Sequence, residues 1–226
     1  MKKLMCAAAA LVAGVAVADV TSANIVGYQT KSDMVAGFNF TVPTFTSIGT
    51  STVSIQDIKL SGEAMAWVDT IQILDENGNA VEQYLWDGSQ WLETIGYSAA
   101  DKTLKAGEGF LISSISNGSK TTYAGEVGKD DVMLECVAGF NFTGNSTPIA
   151  MDIQAITLSG AATAWVDTIQ ILDENGSATE QYLWDGTQWL ETIGYSRADL
   201  TLAPGQGFLI SVFADGTEVN IPAFEF

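Results

Sequence analysis

Histidine is absent from the 226 residues, which removes imidazole-based catalytic triads and the commonest transition-metal ligand. Basic residues are scarce: 9 Lys and Arg stand against 27 Asp and Glu, a formal charge of −18. Phosphate polymers need a basic face, so nucleic acid is excluded as a partner. Cysteine occurs twice, as Cys6 and Cys136, and Cys6 falls in an N-terminal leader. The mature chain therefore has one thiol and no internal disulfide, so its stability must come from packed cores. No pattern of a long helix occurs. The apolar stretch Leu4 to Val15 is about 12 residues, against the roughly 20 that span a bilayer.

That stretch, preceded by Lys2 and Lys3 and followed by Ala16-Val17-Ala18 before Asp19, has the form of a bacterial secretory signal over residues 1–18. It implies export to the periplasm, cell surface or extracellular space, with no transmembrane segment after cleavage. Cys6 sits at the start of the apolar stretch, not after it, so it is not a lipoprotein cysteine. Losing Lys2 and Lys3 takes the charge to about −20. Such an exterior is well solvated and can condense divalent cations without any dedicated metal site.

The chain contains a near-copy of itself. Ala66–Ser113 and Ala164–Ser211 align without a gap and agree at 40 of 48 positions, with AWVDTIQILDENG and QWLETIGYS identical in both. The expected organisation is a lead over 19–33 with a short strand near 24–28, unit one over 34–123, a Gly-containing charged linker over 124–135, and unit two over 136–226. Aligning CVAGFNF with MVAGFNF sets Cys136 opposite Met34, an apolar position, which favours a packed thiol over an intermolecular bond.

Apolar runs within a unit are short and separated by turn signals. Asn77-Gly78 and Asp87-Gly88 tolerate the positive φ of tight hairpins and predict a three-strand meander from Ile71 to Ile95. Further strands are expected at 37–40 and 109–113, with a final strand closing each unit. One helical turn is expected in SIQDIKLSG, capped by Ser54 and stopped by Gly62, with Asp152 and Gly160 as counterparts. The fold class is all-β: two tandem homologous small β-domains, sandwich or barrel-like.

Reading Asn77-Gly78 as a two-residue turn sets Leu74 opposite Val81, Ile73 opposite Glu82 and Ile71 opposite Tyr84. The next turn pairs Trp86 with Trp91 and Tyr84 with Glu93. One face then carries Trp67, Asp69, Ile71, Ile73, Glu82, Tyr84, Trp86, Trp91, Glu93 and Ile95. Two readings of that face stand. Its apolar area favours a core. The hairpin alone, with Tyr84, Trp86 and Trp91 and their counterparts Tyr182, Trp184 and Trp189, would suit a platform for stacking on sugars.

Glu82 and Glu93, repeated as Glu180 and Glu191, read as rim carboxylates in preference to a glycosidase pair. The DENGN segment lacks the twelfth-position ligand of a calcium loop and reads as a turn. AGEGF and PGQGF lack the third glycine of a dinucleotide fingerprint and read as bends that bury Phe110 and Phe208. No catalytic, cofactor or metal residues are assigned.

The start TSANIVGYQT, the AGFNF segment, the Tyr-x-Trp-x-Gly-x-x-Trp hairpin and the Gly-x-Gly-Phe closing strand together resemble a group of secreted bacterial β-rich tandem-repeat proteins of uncharacterised function. The resemblance covers the mature chain and implies export and fold, with no reaction or ligand. The expectation is a non-catalytic envelope or extracellular structural protein that partners itself by homo-assembly. The alternative is a carbohydrate-binding module for surface glycans. The duplication is uneven: Thr41–Lys59 and Thr143–Thr157 share little beyond Ile-Gln-x-Ile, which marks the divergent segment as the place to look for function.

Overall fold

A computed structural model describes residues 26–31 and 34–224. The expected signal peptide lies outside the described residues. The chain is all-β. Unit one contains β1 (Val26–Lys31), β2 (Gly37–Thr41), β3 (Thr52–Ser54), β4 (Lys59–Gly62) and β5 (Thr70–Leu74). It continues with β6 (Ala80–Trp86), β7 (Trp91–Glu93), β8 (Thr103–Lys105), β9 (Phe110–Ser114) and β10 (Ser119–Glu126). Its sheets run β2-β9-β5-β6-β7, β1-β10-β4 and β3-β8, with antiparallel pairing throughout.

Unit two repeats this order. Its strands are β11 (Val132–Cys136), β12 (Gly139–Gly144), β13 (Met151–Asp152), β14 (Thr157–Gly160) and β15 (Thr168–Leu172), then β16 (Ala178–Trp184), β17 (Trp189–Glu191), β18 (Thr201–Leu202), β19 (Gly207–Val212) and β20 (Thr217–Ile221). Its sheets are β12-β19-β15-β16-β17, β11-β20-β14 and β13-β18. No sheet closes on itself. All three sheets of unit one line its core: Ile71, Trp86, Trp91 and Phe110 from the five-stranded sheet, Leu60 and Tyr123 from the three-stranded one, Val53 and Leu104 from the pair. Sheet packed on sheet, not a barrel, thus encloses each core.

Two boundaries differ from expectation. β1 pairs with β10 as β11 pairs with β20, so the lead belongs to unit one's own sheet. β10 runs through Glu126 and β11 starts at Val132, leaving only 127–131 between the units. The helical turn is a 3-10 turn over Ile55–Asp57, capped by Ser54, and the residues up to Gly62 form β4.

The meander register departs at one point. Ile73 faces Glu82, Ile71 faces Tyr84 and Trp86 faces Trp91, as the alternation requires, but Leu74 faces Ala80, not Val81. The turn has one residue more than a two-residue hairpin: Asp75 N–H donates to Asn79 O and Gly78 N–H to Asp75 O, with Gly78 at φ +81°. The Asp75 carboxylate accepts the N–H groups of Asn79 and Asn77, and these bonds, that from Asn79 above all, hold its pKa below the ordinary value. A local turn partner for Asp75 therefore outweighs the tighter loop.

The two units join as a two-fold dimer would. Phe38 N–H donates to Glu174 O at 2.8 Å, and its counterpart Phe140 N–H donates to Glu76 O at 2.9 Å. Thr41 Oγ1 donates to Gly205 O while Thr143 Oγ1 donates to Gly107 O. Phe40 and Phe142 stack on each other, centroids 5.8 Å apart and 10° from parallel. Equivalent residues thus exchange equivalent contacts, the signature of a self-complementary interface. Gly37 and Gly139 are required here, because a Cβ would come within 2.5 Å of Glu174 O and 2.7 Å of Glu76 O respectively. Val42 and Gly144 depart from the symmetry: Val42 is fully buried, and its counterpart Gly144 leaves room for it, since a Cβ there would lie 2.7 Å from Val42 Cγ1.

Candidate functional site

The six residues of the expected sugar platform are core. Trp86 and Trp91 are 3% and 0% exposed and pack with centroids 5.1 Å apart; Trp184 and Trp189 repeat this at 4% and 0%. Trp91 Nε1 donates to Ile58 O and Trp189 Nε1 to Ile156 O, so these indoles have spent their donors inside. Tyr84 and Tyr182 are buried as well, and each phenol donates to a carboxylate two residues away, Glu82 and Glu180. Burial and the adjacent carboxylate hold both phenols protonated well above the usual tyrosine range. A buried ring offers no face to a pyranose, so Tyr84, Trp86, Trp91, Tyr182, Trp184 and Trp189 are corrected from platform to core.

Glu82 also accepts from Lys102 Nζ at 2.9 Å. The Lys102 hydrogen bond, followed by the Tyr84 bond, lowers its pKa. A general acid needs the opposite shift. Cys136 is 3% exposed, like Met34 at 2%, and burial with Asp167 nearby pushes its thiol up to about 11. It packs rather than reacts.

Two residues assigned to the apolar face leave it. Trp67 is 57% exposed and Ile95 is 90% exposed, because both lie in turns beyond the strand ends. The turn Met65–Val68 is bolted from below. Asp69, fully buried, accepts from Met65 N–H, Ile115 N–H and Ser114 Oγ, and Trp67 N–H donates to Trp86 O at 2.6 Å. Asp167 does the same for Thr163 and Phe213, and Trp165 N–H donates to Trp184 O. The second turn, 94–97, closes a hairpin in which Glu93 N–H donates to Ser98 O and Ala100 N–H to Trp91 O. The Gln56 side-chain amide clamps it, accepting from Trp91 N–H and donating to Trp91 O and Ala100 O.

These two turns bring Trp67 and Tyr97 together. Their rings meet edge to face at 6.0 Å, and Trp165 and Tyr195 meet at 5.9 Å with the same 72° interplanar angle. Tyr97 and Tyr195 are each 60% exposed. Met65, Val68 and Ile95 add exposed apolar surface beside the first pair; Val166 and Ile193 do so beside the second.

The backbone singles out the same four residues. Trp67, Tyr97, Trp165 and Tyr195 are the non-glycine residues with positive φ among those described, at 66°, 52°, 66° and 53°. Fifteen glycines occupy the other left-handed positions. A bulky side chain there costs roughly 1–2 kcal/mol, and such strain clusters at functional sites. Strand alternation does not single out Tyr97, although the preceding Gly96 marks the point where β7's alternation must end. The divergent segment is mixed: Val42 and Thr41 meet Gly205 at the seam and the shared Ile55 and Ile58 are fully buried, while residues 48–51 form an exposed loop. The exposed aromatic candidates lie in the near-identical blocks.

Clefts line the seam. One of about 340 Å³ lies on the pseudo-two-fold, walled by Phe38, Phe40, Phe140 and Phe142 with Gln72 and Gln170. A larger one, about 860 Å³, has the scattered charges of Asp75, Glu76, Lys102, Lys105, Glu108 and Glu135 on its walls. Among the described residues no group of three or more Cys, Asp or Glu is placed to hold a metal ion. No helix among them is long and apolar enough to cross a membrane. Neither a family model, nor a curated protein, nor a solved structure matches the chain.

Proposed function

We propose that this chain is a non-catalytic exported envelope or extracellular structural protein, in which two β-domains are locked into one body that displays the same surface twice. The observation that carries this reading is the self-complementary seam. Reciprocal bonds from Phe38 to Glu174 and from Phe140 to Glu76, with the Phe40–Phe142 stack on the axis, leave the repeats little freedom to move independently. A cleft that opens and closes on substrate would need such freedom. A rigid scaffold does not. Of the carboxylates weighed as an acid/base pair, Glu82 is engaged by Lys102 and Tyr84.

Fractionation of cells making the full-length chain, with electron microscopy of the fraction that holds it, tests this reading. Recovery in the envelope or extracellular material, surface-retained or as dimers, filaments or sheets, is the expected result. A freely soluble, unassociated monomer overturns it.

A further inference from the structure

We propose that the Trp67–Tyr97 and Trp165–Tyr195 corners are two equivalent binding sites for an uncharged polysaccharide. The inference rests on the chain acting at or beyond the cell envelope, where such polymers are met.

Each corner holds two rings at 72° to one another, with more than half of each residue's surface open to solvent. Pyranose rings present flat C–H faces that stack on an indole and hydroxyls at the ring edge that need polar partners. Two rings set steeply to one another can supply both: an aromatic face to stack on and, at the phenol, a hydroxyl. No protein group among the described residues bonds the Trp67 or Trp165 indole N–H or the Tyr97 or Tyr195 hydroxyl, whereas the buried Trp91 and Trp189 donors are taken. Aromatic residues with one apolar body and one polar tip are favoured at binding surfaces for this reason.

The backbone that carries the rings is held before any ligand arrives, and the rings rest on each other. Trp67 is tied through its backbone N–H to Trp86 O, its turn is held by buried Asp69, and the Tyr97 hairpin is clamped by Gln56. Preorganised side chains lose less entropy on binding. Glycine fills the other left-handed positions, yet these four carry large aromatics twice over, so the fold bears strain in order to present the rings.

Charge selects the occupant. With a formal charge of −18, the protein repels acidic polymers and anionic membranes. A neutral glycan pays no such penalty. One rigid body with two equal sites gains avidity on a repeating polymer, because the second contact becomes intramolecular.

The test uses mature protein in pull-down against insoluble cellulose and β-1,3-glucan and in affinity electrophoresis with soluble neutral xyloglucan and galactomannan, with alginate and neutral phosphatidylcholine vesicles as comparisons. Retention by at least one neutral polysaccharide is expected. W67A or W165A alone should weaken it by about tenfold or more, and the double variant should abolish it while the unfolding midpoint holds. Y97A with Y195A serves as a second pair should the first fail to fold. No binding to any neutral polysaccharide, undiminished binding by folded double variants, or preference for alginate or vesicles overturns the proposal. So does self-association lost on W67A/W165A, which would assign the corners to a second copy. Envelope recovery without glycan binding defeats this inference alone, and a soluble unassociated monomer that still binds glycan defeats the structural reading alone.

Discussion

Two aromatic pairs in each repeat meet opposite fates. Trp86 and Trp91 face one another across a hairpin and vanish into the core, and Trp91 spends its one donor on Ile58 O. Trp67 sits in the turn before β5 and Tyr97 in the turn after β7, both on left-handed backbone, facing water. Burial accounts for the first pair: an indole removes some 150–250 Å² from water, an upper estimate of about 4–6 kcal/mol. Packing gives no comparable reason for the second, which carries strain and remains exposed. Identical sequence in the two copies thus has two different causes, one in the core and one at the surface.

The largest expected effect separates them directly. Trp91→Ala should destabilise the protein by about 3–5 kcal/mol, through lost burial, a cavity and the orphaned Ile58 carbonyl. Trp67→Ala should cost no more than about 0.5 kcal/mol, as surface substitutions do. Urea unfolding of the two variants measures both. Equal losses would show that the exposed pair is a structural support after all.

How far the sequence revealed this contrast depends on the residue. The strand alternation predicts Ile71, Ile73, Tyr84, Trp86 and Trp91 on one buried face, because side-chain period and turn position together set register. It misplaces Trp67 and Ile95, since alternation holds only while the chain stays extended, and Asp69's buried hydrogen bonds curl the turn ahead of β5. The Ile-Gln-x-Ile common to the divergent segments is legible only in three dimensions. Ile55 and Ile58 fill the core, and Gln56 reaches 35 residues along the chain to Trp91. Likewise the seam was invisible, because AGFNF reads as one more strand until Gly37 and Gly139 are seen against the opposite unit's carbonyls.

A smaller effect tests whether the exposed pair carries strain. At φ 66°, alanine clashes as tryptophan does, whereas glycine does not. Trp67→Gly should therefore be more stable than Trp67→Ala by about 1 kcal/mol, the reverse of the order on ordinary strand or helix backbone. Paired denaturant titrations decide this, and an alanine variant as stable as the glycine one would remove strain from the comparison.

The smallest effect lies at the polar edge of the buried pair, where the repeats themselves differ. Lys102 donates to Glu82 beside Tyr84 in unit one; the aligned residue in unit two is Leu200. The Glu82 side chain is 40% exposed, so solvent screens the pair and its contribution is about 0.2–1 kcal/mol. Because folding lowers the Glu82 pKa, the contribution is fully present above the unfolded-state value of about 4.3 and disappears as pH falls through the folded value. Lys102→Leu should thus lower stability at pH 7 relative to the parent, and the gap should shrink on acidification below about pH 4. The new leucine's packing adds an offset indifferent to pH, so the pH-dependent part alone reports the ion pair. Unfolding free energies of parent and variant across pH 3–7 give that part, and a gap constant over the range would mean that Tyr84, without Lys102, suffices to hold Glu82 ionised.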